Sequence, residues 1–333
     1  MKAALRASQQ ARTRSSPNPW VGCRIVAPDG SIFEGATSAP GGPHAEAGAL
    51  ARAGGASRGA TVYVTLEPCA HQGRTPPCTD ALVAAGVSRV VVGVVDPDAR
   101  VQGRGIEQLR AAGIEVSVGT CEQEVREVLA PYLKHRSTGR PWVVLKLAAS
   151  FDGRIAAPGG DSKWITGEAA RADVHRLRAE SDAVLVGAGT VRADDPRLTV
   201  RLVPGRSPLR VVLGEVHPGA AVMPALSMTG DLGEVLDDLG ARGVLQLLVE
   251  GGARVAHEFH AAGLVDRYVL YFAPVLFGGD DAVPMFSGAG ASVMSTLWRG
   301  RLVALERTGD DLRVELAPRA DGPGNPTPAW EVA

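Results

Sequence analysis

Short apolar runs alternate with amphipathic stretches along most of this chain. From Trp20 the apolar positions predict a strand, an Asp29-Gly30 turn and a second strand, then a Pro40-Gly41-Gly42-Pro43 loop into an Ala-rich helix over 44–53. Residues 61–66 predict a strand, 80–85 a helix, and 89–95 a near-continuous apolar strand of the kind buried on both faces. A helix around 106–112, a strand at 114–118 and a helix from about 121 to 135 complete the first half. Ser137-Thr138-Gly139-Arg140-Pro141 reads as a linker. Beyond it, strands are expected near 142–148, 183–187, 209–213, 244–250, 268–274 and 312–316, with helices near 168–179, 232–239 and 253–262. The stretch from Gly214 to Gly243 shows no clear strand. Strands alternating with helices imply largely parallel or mixed sheets covered on both faces, so the fold class is α/β. The expected division is one domain over 1–138, a second over 142–319, and a loose Pro- and Gly-rich tail over 320–333.

Composition narrows the function classes. At 333 residues, two hydrophobic cores are favoured over one. Lys+Arg of 35 against Asp+Glu of 36 leaves a net charge of −1, without the basic footprint of a nucleic-acid or membrane-surface binder. An anionic small molecule would then be met by a few placed Arg and Lys. No apolar run reaches the length of a membrane span. Residues 1–28 hold Lys2, Arg6, Arg12, Arg14 and Arg24 without an acid, as transit peptides do. Ala4, Leu5 and Ala11 near helical spacing favour a first amphipathic helix instead, ending before Pro17. Four cysteines, two of them in the motif described next, make no disulfide framework and point to a reducing, cytoplasmic setting. Cys23 and Cys121 are expected to be small buried hydrophobes.

Candidate chemistry lies in two segments, Pro43-His44-Ala45-Glu46 and Leu66-Glu67-Pro68-Cys69-Ala70-His71-Gln72-Gly73-Arg74-Thr75-Pro76-Pro77-Cys78. His44, Cys69 and Cys78 would give a metal three ligands, with a fourth position for water and Glu46 beside it as general acid/base: the parts of a hydrolytic zinc site. Nucleobase deaminases pair a His-x-Glu with Pro-Cys-x-x-Cys; here the second Cys stands nine positions after the first. Residues two apart in a helix face nearly opposite ways, so His44 and Glu46 can share a site only where the loop enters the helix. Cys69 follows a strand, and a helix N-terminus nearby would favour its thiolate. His71 lies between the two cysteines and could itself bind metal. A nucleic-acid editor would show a basic stripe with exposed aromatics, whereas aromatics here are 5%. A silent zinc scaffold would have lost the acid, and Glu46 is present.

In the second half, Lys146 is a charge inside an apolar strand, so it either pairs with a buried acid such as Glu250 or faces a ligand cleft. Glu250-Gly251-Gly252 before a helix and Gly187-Ala188-Gly189-Thr190 after a strand each leave room for an anion near a helix N-terminus. Neither is a Gly-x-Gly-x-x-Gly fingerprint, so a Rossmann domain is not supported. By position alone, Arg178 and Arg201 read as solvated.

The spaced cysteine motif resembles that of the riboflavin-pathway pyrimidine deaminases. Leu145-Lys146-Leu147-Ala148-Ala149-Ser150-Phe151-Asp152-Gly153, Ser162-Lys163-Trp164-Ile165-Thr166, Ala193-Asp194-Asp195-Pro196 and Glu250-Gly251-Gly252 follow in the order of that family's reductase half. From about Pro17 to about Pro318 the chain is similar to the bifunctional riboflavin-biosynthesis family, a zinc deaminase fused to a reductase. The resemblance implies a cytidine-deaminase-like three-layer α/β/α domain and a dihydrofolate-reductase-like α/β domain. It implies one zinc per chain on His44, Cys69 and Cys78, with Glu46 catalytic and Asn18, His71 and Arg74 on the substrate side. It implies NADPH against Ala148, Trp164, Thr190, Asp194 and Gly252, and a pyrimidine ribotide against Lys146, Ser162, Arg178, Leu198, Arg201 and Glu250. A homo-oligomer, dimer or tetramer, is expected. Gly214-Glu215 and Ala253-Arg254 depart from the Asp-Ser and Pro-Thr common in the family. An alternative is therefore a deaminase with an impaired or retuned reductase half.

Overall fold

The computed structural model describes residues 1–73 and 75–319. These divide into two units, one ending at Gly139 and the other beginning at Arg140. The expected tail over 320–333 and the candidate Arg74 lie outside the described residues.

In the first unit α1 (Lys2–Ser8) precedes the antiparallel pair β1 (Gly22–Val26) and β2 (Ile32–Ala36). Then come α2 (Ala45–Ala53), β3 (Thr61–Leu66), α3 (Cys78–Ala85), β4 (Arg89–Val94), α4 (Arg104–Ala111), β5 (Glu115–Val118) and α5 (Glu122–Thr138). The sheet order is β2-β1-β3-β4-β5, with β3, β4 and β5 parallel. In β4 only Arg89 is exposed, as the unbroken apolar run predicts for a strand covered on both faces. Two glycines set helix positions that matter for the site. A Cβ on Gly35 would lie 2.1 Å from the Ala45 carbonyl oxygen, so only glycine lets β2 meet the start of α2 so closely. A Cβ on Gly105 would lie 2.0 Å from the Pro68 carbonyl oxygen, which presses α4 onto the strand-end loop that carries Cys69.

The second unit contains β6 (Trp142–Ser150), β7 (Arg154–Ala156), α6 (Glu168–Glu180), β8 (Ala183–Gly187), α7 (Ala188–Asp194), β9 (Leu209–Leu213) and β10 (Leu226–Met228). It continues with α8 (Leu232–Ala241), β11 (Gln246–Val249), α9 (Ala253–Ala261), β12 (Arg267–Ala273), β13 (Val283–Pro284), β14 (Gly300–Thr308) and β15 (Asp311–Pro318). The main sheet runs β10-β9-β8-β11-β6-β12-β15-β14, parallel as far as β12 and antiparallel at β15 and β14. Leu145, Leu185 and Leu247 from three central strands pack with Leu236, Leu239 and Phe259 from α8 and α9 in one core. Parallel strands covered by helices in this way leave their C-terminal ends open to a ligand.

Several expectations need correction. Ser137 and Thr138 finish α5 rather than opening a linker; the stop is Gly139, left-handed at φ 75°. The 214–243 stretch does hold a strand, the three-residue β10 on the sheet edge. β14 was missed because Leu302 to Leu305 do not alternate, and as an outer strand it leaves Leu302 and Leu305 exposed. Cys23 is fully buried, but Cys121 is half-buried and precedes α5 in a left-handed conformation, so it is no core residue. Among the described residues no helix is long and apolar enough to cross a membrane.

Candidate active sites

His44 is the residue before α2, with extended backbone at ψ 166°, and Glu46 lies in the first turn of the helix. That break between loop and helix lets side chains two residues apart converge. β3 ends just before Glu67-Pro68-Cys69, and α3 starts at Cys78. One ligand atom from each of His44, Cys69 and Cys78 lies within 4.8 Å of the others. Nδ1 of His44 is 3.6 Å from Cys69 Sγ and 3.3 Å from Cys78 Sγ. Metal bonds of ordinary length set tetrahedrally about zinc would hold N and S roughly 3.5 Å apart, so the donor set fits that ion. The Cys78 backbone N–H donates to Cys69 Sγ at 3.3 Å. The helix N-terminus expected near Cys69 is that of α3, which begins at Cys78.

The electrostatics favour a cation between the thiols. A hydrogen bond from Cys78 lowers the Cys69 thiol well below the usual thiol range, with help from His44, while the same bond and burial push Cys78 up. One thiol ionises readily and the second resists until positive charge arrives. Burial raises buried Glu46 to about 7, and the negative Cys69 adds to the rise. A buried carboxyl beside the donor set is the environment of a general acid/base.

A cavity of about 390 Å³ opens on this cluster, with Asn18 and His71 on its wall beside His44, Glu46 and Cys69. Nδ1 of His71 is buried without a hydrogen-bond partner among the described residues, so the ring has donor or acceptor capacity toward a ligand. Asp96 and Tyr132 also line the cavity. The Tyr132 hydroxyl lies 3.1 and 3.0 Å from the two Asp96 carboxylate oxygens, and burial raises that carboxyl to about 6. Sequence reasoning missed this pair. The available signal was an acid just past a buried parallel strand, where such sheets bind ligands. Glu67 was also missed: its carboxylate accepts backbone N–H bonds from Asp96, Gly103, Gly105 and Ile106 at 2.9–3.3 Å. It thereby fixes the loop that presents Asp96.

In the second unit most candidates come from β6, from α6 and from the segments that follow β8 and β11. Arg178 donates to both Glu250 oxygens at 2.6 and 2.9 Å, and Lys146 Nζ lies 3.8 Å from the same carboxylate. Glu250 thus has two cationic partners, and the solvated reading of Arg178 is overturned by a side chain only 13% exposed. Burial alone would raise Glu250; Arg178 and Lys146 outweigh it and hold the acid below its usual range. Burial lowers Lys146. Arg178 also reaches the Thr199 carbonyl at 3.4 Å, and His175 Nδ1 accepts the Arg201 N–H at 2.9 Å. These bonds pin a loop in which Leu198 is buried with φ 52° while the Arg201 side chain is exposed. Leu198 can therefore offer a ligand little but backbone. His175, lowered to about 4 by burial and then by its arginine neighbours, carried no signal in the sequence because its role is to hold backbone.

Thr190 Oγ1 accepts the Gly252 N–H at 3.2 Å, joining the two glycine turns beyond the adjacent strands β8 and β11. Ser162 donates to Asp194 at 3.5 Å, and Ala148 lies two residues beyond Lys146 on the same face of β6. Trp164 is 71% exposed, with the Arg171 guanidinium 4.8 Å above its ring, and among the described residues no hydrogen bond ties its ring to the other candidates.

The profile of the cytidine and deoxycytidylate deaminase zinc-binding region matches residues 1–94, and that of the RibD C-terminal domain matches residues 141–314. Over 323 residues the chain is 44% identical to the riboflavin biosynthesis protein RibD of Chlamydia trachomatis, covering 86% of each. It is 43% identical over 332 residues to the Mycobacterium tuberculosis protein of that name, covering 96% of each. A solved structure of Acinetobacter baumannii RibD superposes with a TM-score of 0.88 at 39% identity, covering 96% of this chain and 97% of that one. A Thermotoga maritima structure titled diaminohydroxyphosphoribosylaminopyrimidine deaminase/5-amino-6-(5-phosphoribosylamino)uracil reductase gives 0.86 at 37% identity, with the same coverage.

Proposed function

The chain belongs to the RibD family of riboflavin biosynthesis deaminase/reductases, and from that premise we propose which of its residues perform the two reactions. The first unit deaminates 2,5-diamino-6-(5-phosphoribosylamino)pyrimidin-4-one hydrolytically, and the second reduces the ribosyl side chain of the product to ribityl with NADPH. The observation that carries this reading is the convergence of His44, Cys69 and Cys78 beside buried Glu46 in one cavity. When bound there, zinc supplies the Lewis acidity that makes water a nucleophile near neutral pH. Glu46 takes a proton from the attacking water and delivers it to the amino group that leaves as ammonia. Asn18, His71 and Arg74 hold the pyrimidine ribotide. In the second unit Lys146, Ser162, Arg178, Leu198, Arg201 and Glu250 serve the ribotide, and Ala148, Trp164, Thr190, Asp194 and Gly252 serve the cofactor.

Purified protein given the diaminopyrimidine phosphate should release ammonia without NADPH and form the ribityl product only with it. Ammonia release without any NADPH oxidation would favour the impaired-reductase alternative. Cys78→Ser should lose most of the bound zinc on elemental analysis; full zinc in that variant would transfer the third ligand position to His71. NADPH should be used more efficiently than NADH, which steady-state rates with each cofactor measure. Four free cysteines support a reducing, cytoplasmic setting. The exposed Leu302 and Leu305 on the outer strand β14 support a homo-oligomer, dimer or tetramer, which sedimentation measures.

A further inference from the structure

Thr75 belongs to no reaction step above, yet it touches the outer edge of a metal-cluster residue, the His44 ring. Its Oγ1 lies 3.3 Å from His44 Nε2, while His44 Nδ1 faces both cysteine sulfurs. The two ring nitrogens therefore have separate tasks. A neutral imidazole that gives its Nδ1 lone pair to a metal carries its proton on Nε2, and that N–H needs an acceptor. Thr75 Oγ1 is the hydrogen-bond partner at that distance. Its own position is set within the loop, where the Gly73 N–H donates to the Thr75 carbonyl at 3.2 Å, and Cys78 follows three residues later. One short loop thus supplies the third metal ligand and also holds the ring of the first.

We infer that Thr75 is a positioning residue for zinc: its hydroxyl accepts the His44 Nε2–H, fixes the tautomer that leaves Nδ1 free for the metal, and sets the ring's angle. The inference rests on His44, Cys69 and Cys78 being the zinc ligands. Outer partners of a ligating histidine commonly change metal affinity by about 10–100-fold when removed, and Thr75 is expected to fall in that range. The residue also has a methyl group, which could matter only by filling space, so the test must separate the two halves of the side chain.

Thr75→Val keeps the methyl group and removes the hydroxyl; Thr75→Ser does the reverse. Zinc affinity is measured on the full-length purified proteins by competition with a chromophoric chelator. The expected result is zinc held about 10–100-fold more weakly in Thr75→Val and close to wild type in Thr75→Ser. Unchanged affinity in Thr75→Val overturns the inference. Equal weakening in both variants also overturns it, because shape rather than the hydroxyl would then be responsible. Thermal melts of the zinc-free proteins accompany the titration, and a Thr75→Val melt far below that of Thr75→Ser would assign the hydroxyl to folding and likewise overturn the inference. If wild type itself takes up no zinc, the ligand assignment fails instead, which is a different result from zinc bound equally by wild type and Thr75→Val.

Discussion

Glu46→Gln should retain its zinc and lose deamination by about 10²–10⁴-fold, the range typical of a general acid/base. The carboxylate is beside the metal cluster but outside the set of three donors, so replacing it with an amide of equal size removes the proton carrier and leaves the ligands in place. Burial favours the variant if anything, because the amide has no charge to desolvate, whereas Glu46 is raised to about 7 by burial. Its effect should therefore appear in turnover rather than in folding. Two proton transfers depend on this group, so the upper end of the range is expected. Reduction of already deaminated substrate by NADPH is the internal control, since it belongs to the other unit, and it should be unchanged. Zinc content and ammonia release measured on one preparation decide the matter. Turnover near wild type would mean that another group moves the proton, and Asp96, raised to about 6 on the same cavity wall, would be the first to examine.

The metal centre could be read in the sequence because its chemistry is carried by rare residue types at fixed spacing. His44, Cys69 and Cys78 needed only a loop-to-helix break and a strand end to meet, and both breaks were marked by proline or glycine. Residues that act by holding backbone or another side chain gave no such sign. Glu67 and His175 accept backbone N–H bonds and Thr75 meets the His44 ring; all three are ordinary in composition, and their partners lie 26–39 residues away in the chain. Asp96 and Tyr132 come from a strand end and a helix that meet only through the sheet order. In the fold, the central strands were legible because burial on both faces forces continuous apolar runs, as in β4 and β8. β10 and β14 were not, because β10 is only three residues long and Leu302 to Leu305 do not alternate.

The buried charges of the second unit lead to the other large effect. From the sequence Lys146 and Glu250 were a candidate ion pair, in which case losing either would leave the other stranded. The geometry makes the two unequal. Arg178 takes both Glu250 oxygens at 2.6 and 2.9 Å, so the carboxylate stays paired without Lys146, which lies 3.8 Å away. Lys146→Ala removes a buried cation that burial already disfavours, and it leaves the Arg178–Glu250 bonds intact. The melting temperature should barely move while NADPH-dependent reduction falls, which separates a ligand-facing lysine from a structural one. Glu250→Ala strands two buried cations against each other, and breaking a buried pair by removing one partner costs about 3–5 kcal/mol. For a unit of this size that corresponds to a fall in melting temperature of roughly 10 °C. Deamination should survive in both variants, since among the described residues the zinc cluster and its cavity lining all precede Gly139. The measurements are a thermal melt, ammonia release and NADPH oxidation on each protein. A Lys146→Ala melt as depressed as that of Glu250→Ala would show the lysine to be half of the structural pair and would withdraw it from the substrate site.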